Sequence, residues 1–339
     1  MITTEAQLDD RLSEPGDADV QAMAALPGDL MLLGASGKMG PSLARLARRA
    51  CERAGVKKRI IGVARFSAPG ARWLLDASGV ETIAADLLDS EALAELPDVE
   101  NLIFMTGRKF GSTGGEHLTW AMNVLQPGMA ADRFAASRIV AFSSGNIYPL
   151  APVVRGGSTE STPPGPVGEY AQSALGRERM LEYFSVRNGT PMTILRLNYA
   201  IDLRYGVLLD VGLKVFERRT VDLTTGHANV IWQGDANSVC LRSFALCQSP
   251  PAVLNVTGPE IVSIRWLAER FGQRFGIEPT FEGAESDTAL LNNAGRCHRL
   301  FGYPKVTIEQ MIEWVADWIG LGGPTLNKPT HFETRDGRF

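Results

Sequence analysis

The feature that most constrains this chain is a short apolar run, Leu30–Leu33, that breaks into Gly34-Ala35-Ser36-Gly37-Lys38-Met39-Gly40 and then into an amphipathic stretch over Lys38–Arg53. Glycines at such a turn let the backbone bend sharply and come close to a bound pyrophosphate. The helix that follows directs its unpaired N–H groups, and the positive end of its dipole, at that phosphate. A glycine-rich turn alone could be a simple cap. Here it follows an apolar strand, opens a helix and heads a longer series, and that context points to a nucleotide cofactor.

The series continues with apolar runs at Arg59–Ala64, Val80–Ala84, Asn101–Met105, Arg138–Phe142 and Met192–Leu197, separated by helical stretches. Runs that are apolar at every position belong to parallel strands covered on both faces. The predicted fold is therefore α/β: a Rossmann-type, doubly wound parallel sheet over residues 28–200, with late returns from the C-terminal half. Beyond it, helical periodicity at Val211–Arg218, Asn237–Gln248, Ile264–Phe275 and Ile308–Trp318, with short strands near Val230 and Val253, predicts a smaller α/β substrate lobe over 201–321. Residues 1–27 read as a polar extension broken at Pro15-Gly16. Residues 322–339, rich in Gly, Pro and Thr, read as an extended or partly disordered tail.

Composition excludes several classes of function. A net charge of -4 without clustered Lys/Arg gives no footprint for nucleic acid or for a membrane surface. No run approaches the roughly 18 apolar residues of a membrane span, and the acidic N-terminus has no signal-peptide character, so a cytoplasmic protein is expected. Cys51, Cys240, Cys247 and Cys297 are far apart and form no CxxC pair. They read as buried thiols, with no metal site.

GxxGxxG at 34–40 resembles the glycine turn of the extended short-chain dehydrogenase/reductases, the NAD(P)-dependent epimerase/dehydratase family. Further matches follow in order. Asp86-Leu87 looks like the pair that holds the adenine, Thr106-Gly107-Arg108-Lys109 resembles a segment whose Lys reaches the cofactor, and Asn123 matches the Asn of the next helix. Phe142-Ser143-Ser144-Gly145-Asn146-Ile147-Tyr148 resembles the stretch whose second Ser is catalytic, and Gly168-Glu169-Tyr170 opens the helix of the catalytic Tyr. Leu254-Asn255-Val256-Thr257-Gly258 and Leu300-Phe301-Gly302-Tyr303-Pro304 match later segments. The resemblance implies that Ser144 and Tyr170 are catalytic. It implies that Gly34, Ser36, Gly37, Lys38, Met39, Gly40, Arg65, Asp86, Leu87, Thr106, Gly107, Lys109, Asn123, Tyr170 and Leu197 bind the cofactor. It also implies a small-molecule substrate and allows a homodimer built from the helix after the fourth strand and the Tyr-bearing helix, although Pro127-Gly128 interrupts the former.

Two departures stand out. The family pairs Tyr with Lys four residues on, where both share a helix face, but here Ala174 occupies that position. Ala174→Lys is expected to rebuild the pair unless a loop has closed over the space. Ala228 stands where nucleotide-sugar enzymes carry a diphosphate-clamping Arg, and Asn198 is displaced by one position. His227 and Trp232, nearby, read as packing rather than chemistry. The second strand ends Val63-Ala64-Arg65 rather than on an acidic residue that would grip ribose hydroxyls, so NADP is expected, with NAD possible. The expected function is an NAD(P)-dependent oxidoreductase or epimerase working by hydride transfer at a hydroxyl/carbonyl carbon of a small polar, sugar-like substrate. The alternatives are a non-catalytic cofactor-binding sensor or scaffold, and a nucleotide-sugar epimerase.

Overall fold

Predominantly apolar strands need a covering layer on both faces, and seven strands, one of them a partly exposed edge, form one such sheet. In the computed structural model, which describes every residue except Phe110, Ser112, Pro329 and Phe339, these are β1 (Leu30–Leu33), β2 (Ile60–Ala64), β3 (Glu81–Ala84), β4 (Asn101–Phe104), β5 (Arg138–Ser144), β6 (Met192–Leu197) and β7 (Ala252–Val256). Their order across the sheet is β7-β6-β5-β4-β1-β2-β3, with every neighbouring pair parallel. The chain turns back between β1 and β4, and in open α/β sheets a ligand crevice forms outside the carboxyl ends at such a point.

Side chains alternate between two cores. Leu30, Leu32 and Val140 face one, and Met31, Leu33 and Ile139 face the other. The N-terminal residues, expected as an extension, instead form α1 (Glu5–Leu12) and α2 (Asp17–Ala25). Met23 of α2 enters the first sheet core, which also includes α3 (Gly40–Ala54). Leu8 and Leu12 of α1, one turn apart, enter the core of the C-terminal lobe. This segment therefore belongs to both cores, and Arg45, Arg49 and Arg53 of α3 donate hydrogen bonds to its Asp10 carboxylate, Asp10 carbonyl and Asp17 carboxylate.

The far face of the sheet is covered by α4 (Gln126–Arg133) and α5 (Gly168–Asn188), through Ala130, Ala131, Leu181 and Phe184. The C-terminal lobe packs α6 (Val207–Phe216), α7 (Ile264–Phe275) and α8 (Ile308–Gly320) around a separate core. Trp232 is fully buried against Trp314, ring centroids 5.2 Å apart, as packing requires. The strand expected near Val253 completes the main sheet beside β6 rather than belonging to the lobe. The tail is also docked. Leu326 N–H donates to Arg204 O, the Lys214 ammonium meets Glu333 at 2.7 Å, Arg335 donates to Thr288, and Phe332 is buried. No described helix is long and apolar enough to cross a membrane.

Candidate active site

Two adjoining cavities lie across the carboxyl ends of β1 and β4, sharing Gly37, Met105, Thr106 and Gly107. Two glycines of the turn are required by close approach. Gly34 has φ +97°, and a Cβ there would lie 2.8 Å from Thr106 Cγ2. A Cβ on Gly40 would fall 2.3 Å from the Ala35 carbonyl oxygen, so only glycine lets α3 start against the turn. Gly40 lines neither cavity, and its role seen here is this packing.

The smaller cavity, about 210 Å³, is lined by Gly34, Ser36, Gly37, Arg65, Asp86 and Leu87 together with Thr106 and Gly107. Asp86 Oδ1 accepts the Leu88 N–H at 3.0 Å, and its other oxygen lies 4.0 Å from Arg65. The lining combines an open glycine turn, a carboxylate beyond β3 and a guanidinium beyond β2, a donor and acceptor set that suits the adenosine half of a dinucleotide.

The larger cavity, about 290 Å³, gathers Lys38, Met39, Thr106, Gly107, Lys109, Ser144, Tyr170 and Leu197. Ser144 ends β5, and its Oγ accepts the Asn146 N–H at 3.2 Å. Tyr170 stands in the first turn of α5, whose opening Gly168 has φ +81° and packs against Gly337 of the tail. Arg108, Asn146, Tyr199, Tyr205, Thr330 and Arg177 also line this cavity, and of these only Arg108 and Asn146 fall within the sequence motifs. Burial raises the Tyr199 and Tyr205 phenols above their ordinary range. Burial also draws the Lys38 and Lys109 ammoniums down to about 8. Lys38 Nζ donates to Ala200 O at 2.7 Å and lies 4.1 Å from the centre of the Tyr205 ring. Lys109 Nζ donates to Thr330 O at 3.1 Å.

Asn123 lines neither cavity. All its hydrogen-bonding capacity is spent inside the protein. Oδ1 accepts from Arg108 N–H and Arg177 Nη2, and Nδ2 donates to Arg108 O and Ser173 Oγ. Arg177 follows Tyr170 by two helical turns, a spacing that would have flagged it from sequence. Its guanidinium is buried in the cavity floor, donating to Phe142 O at 2.8 Å and to Asn123, with Gly107 leaving room for it. Burial lowers its pKa from the usual arginine range. Ala174 turns away from the cavity and is buried against Ile147 and Tyr148. In Ala174→Lys the new side chain would therefore meet Ile147 and Tyr148 instead of the cavity. That variant is expected to lower stability by about 1–3 kcal/mol through overpacking alone, measured as a drop in the thermal midpoint. An unchanged midpoint with tighter cofactor binding would contradict this placement.

Behind the cavity, Glu178 of α5 accepts Ser143 Oγ at 2.6 Å and pairs with Arg196 of β6 at 2.7 Å. Arg196 donates on to the Tyr148 hydroxyl at 2.6 Å, which donates to Asn255 Oδ1. This buried chain fixes the end of β5, which presents Ser144. His227, half-buried in a short strand pair with Ser263, lines neither cavity.

A doubly wound sheet with a glycine turn, a divided cleft at its switch point and a Ser and Tyr in the inner half defines a dinucleotide-dependent, oxidoreductase-type enzyme. Residues 30–200 match the NAD dependent epimerase/dehydratase family, and the chain belongs to it. Among solved structures, it is similar to a UDP-glucose 4-epimerase of Thermotoga maritima with UDP-glucose (TM-score 0.70, 15% identity, covering 86% of this chain and 98% of that one). It is similar also to a dTDP-glucose 4,6-dehydratase of Streptomyces venezuelae with NAD (TM-score 0.72, 17% identity, 86% and 97% covered). A third is a UDP-glucuronic acid 4-epimerase of Bacillus cereus with NAD (TM-score 0.71, 16% identity, 86% and 98% covered). A search of curated proteins finds no match.

Proposed function

We propose that this enzyme oxidises or epimerises a hydroxyl/carbonyl carbon of a small polar, sugar-like substrate, with Tyr170 and Ser144 as its catalytic residues. The observation that carries this reading is that Tyr170, Ser144 and Leu197 line one cavity with the glycine turn, next to the Arg65–Asp86 cavity. The glycine turn, Thr106 and Gly107 would hold a nicotinamide dinucleotide, whose ring exchanges hydride with substrate carbon when bound. The Tyr170 hydroxyl gives or takes the proton on the substrate oxygen, and Ser144 Oγ holds that oxygen by a hydrogen bond. The test is a panel of sugars and sugar acids followed by nicotinamide absorbance. No turnover of any member would favour a cofactor-binding sensor.

Arg65 at the end of β2 supports NADP(H) over NAD(H), since a guanidinium can grip a 2′-phosphate bidentately. Calorimetric titration of both cofactors is expected to show tighter NADP binding, with the difference lost in Arg65→Ser. Equal or tighter NAD binding in the parent defeats the assignment.

A nucleotide-sugar epimerase is the second reading, favoured by the UDP-glucose in one similar structure. Against it, Ala228 is buried in a strand pair and offers no guanidinium, while the Asn198 amide donates to Leu290 O at 3.3 Å. UDP- and dTDP-sugars in a thermal-shift assay separate the two, and clear stabilisation would decide for the second. Leu125, Tyr183 and Val186, exposed just before α4 and on α5, support a homodimer across those helices.

A further inference from the structure

Among its described residues, the lining of the larger cavity carries the cations Lys38, Arg108, Lys109 and Arg177 and no carboxylate. An isolated ammonium removed from water is costly unless a counter-charge meets it. Lys38 Nζ meets the Ala200 carbonyl and the face of the Tyr205 ring, neither of which carries a charge. Asp202 and Asp210 act on it from a distance, and neither forms an ion pair with it. Asp210 Oδ2 accepts both the Thr330 N–H and its hydroxyl, and Asp202 Oδ1 accepts the Arg204 N–H while the Arg204 guanidinium opposes the lysine's charge. Lys109 reaches the same region from the other side, at Thr330, and also feels Asp210.

Position decides what this charge is for. The Lys38 side chain leaves the glycine turn away from the adenosine cavity, whose lining includes Gly37 but not Lys38. It ends at Ala200 and Tyr205, on the side of the C-terminal lobe. We propose that the substrate carries an anionic group, a carboxylate or a phosphate, and that Lys38 is the residue that seats it in the inner cavity. The claim rests on the hydride-transfer reading above and narrows its substrate to acidic sugars or sugar phosphates. Burial fits this, because it draws the ammonium down to about 8, which leaves it largely charged at about pH 7 and makes a bound anion a favourable counter-charge.

The experiment is calorimetry on the protein saturated with NADP, using glucuronate, glucose and inorganic phosphate as probes at about pH 7. At least one anion is expected to bind more tightly than glucose. Lys38→Met is expected to weaken that anion on the order of 10–100-fold, the usual value of a hydrogen bond to a charged group. The ammonium loses its proton as pH rises through about 8, so anion affinity in the parent is expected to hold below that pH and fall towards about pH 9. The parent titration carries the test alone if Lys38→Met does not fold. Anion binding that is absent, no tighter than that of glucose, or indifferent to both pH and Lys38→Met overturns the proposal. So does a Lys38→Met variant that loses cofactor affinity instead, because the ammonium would then serve the cofactor's pyrophosphate. Failure of the hydride-transfer reading is distinguishable, since it appears as no turnover of any sugar or sugar acid by the parent and leaves the anion titration as it was.

Discussion

Tyr170→Phe is expected to lower turnover by about 10²–10⁴-fold, the usual contribution of a positioned acid–base group, and to leave cofactor affinity unchanged. The reason lies in how α5 is held. Its first residue, Gly168, packs on Gly337 of the docked tail, and Glu169 accepts the Trp120 indole N–H at 2.5 Å, so the first turn is pinned from both sides. Removing one hydroxyl should leave that frame standing, and the loss should fall on the chemical step. Rapid-mixing kinetics with calorimetry on the same preparation separates the two quantities. An unaltered kcat in the Phe variant would exclude proton transfer by Tyr170, and a parallel loss of cofactor affinity would mean the hydroxyl chiefly holds the cofactor.

Arg196→Met is expected to cost about 3–5 kcal/mol of stability, the range for removing one partner of a buried ion pair. Arg196 and Glu178 side chains are 9% and 4% exposed, so water cannot replace the lost partner. The variant leaves the Glu178 carboxylate with Ser143 alone and takes a donor from the Tyr148 hydroxyl. Glu178→Gln in the same background should recover part of the loss, because it removes the stranded charge. Denaturant midpoints for the two single variants and the double variant measure the coupling directly. A midpoint for Arg196→Met indistinguishable from that of the parent would show that the pair contributes nothing to folding.

These two residues differ in how readable they were. Tyr170 is carried by a motif at a fixed place in the strand–helix order. Arg196 lies within an apolar strand, where sequence shows only a charge that must find a partner. Its partner, Glu178, lies on α5, and nothing in local periodicity links the two.

The six apolar strands up to Met192–Leu197 and the glycine turn are legible in the sequence alone, as are Thr106 and Ser144 at or just after strand ends. Those features are local: a run of Val, Ile and Leu reports burial on both faces, and a strand end followed by Gly reports where the backbone must turn. What each buried face meets is set by the packing of segments against one another. The polar-looking N-terminus gained Leu8, Leu12 and Met23 as buried contacts with two different cores. The strand around Val253 went to the main sheet because β6 had an open edge to pair with. Ala174 turned into a small cluster with Tyr148 while Arg177 supplied the buried cation in the cavity floor, and Asn123 was consumed in holding that guanidinium. Lys109 found its carbonyl partner 221 residues away in the tail. Periodicity along a helix or strand states that a face is covered, but the partner is chosen by packing and hydrogen-bond satisfaction between segments distant in the chain, and no local pattern encodes it.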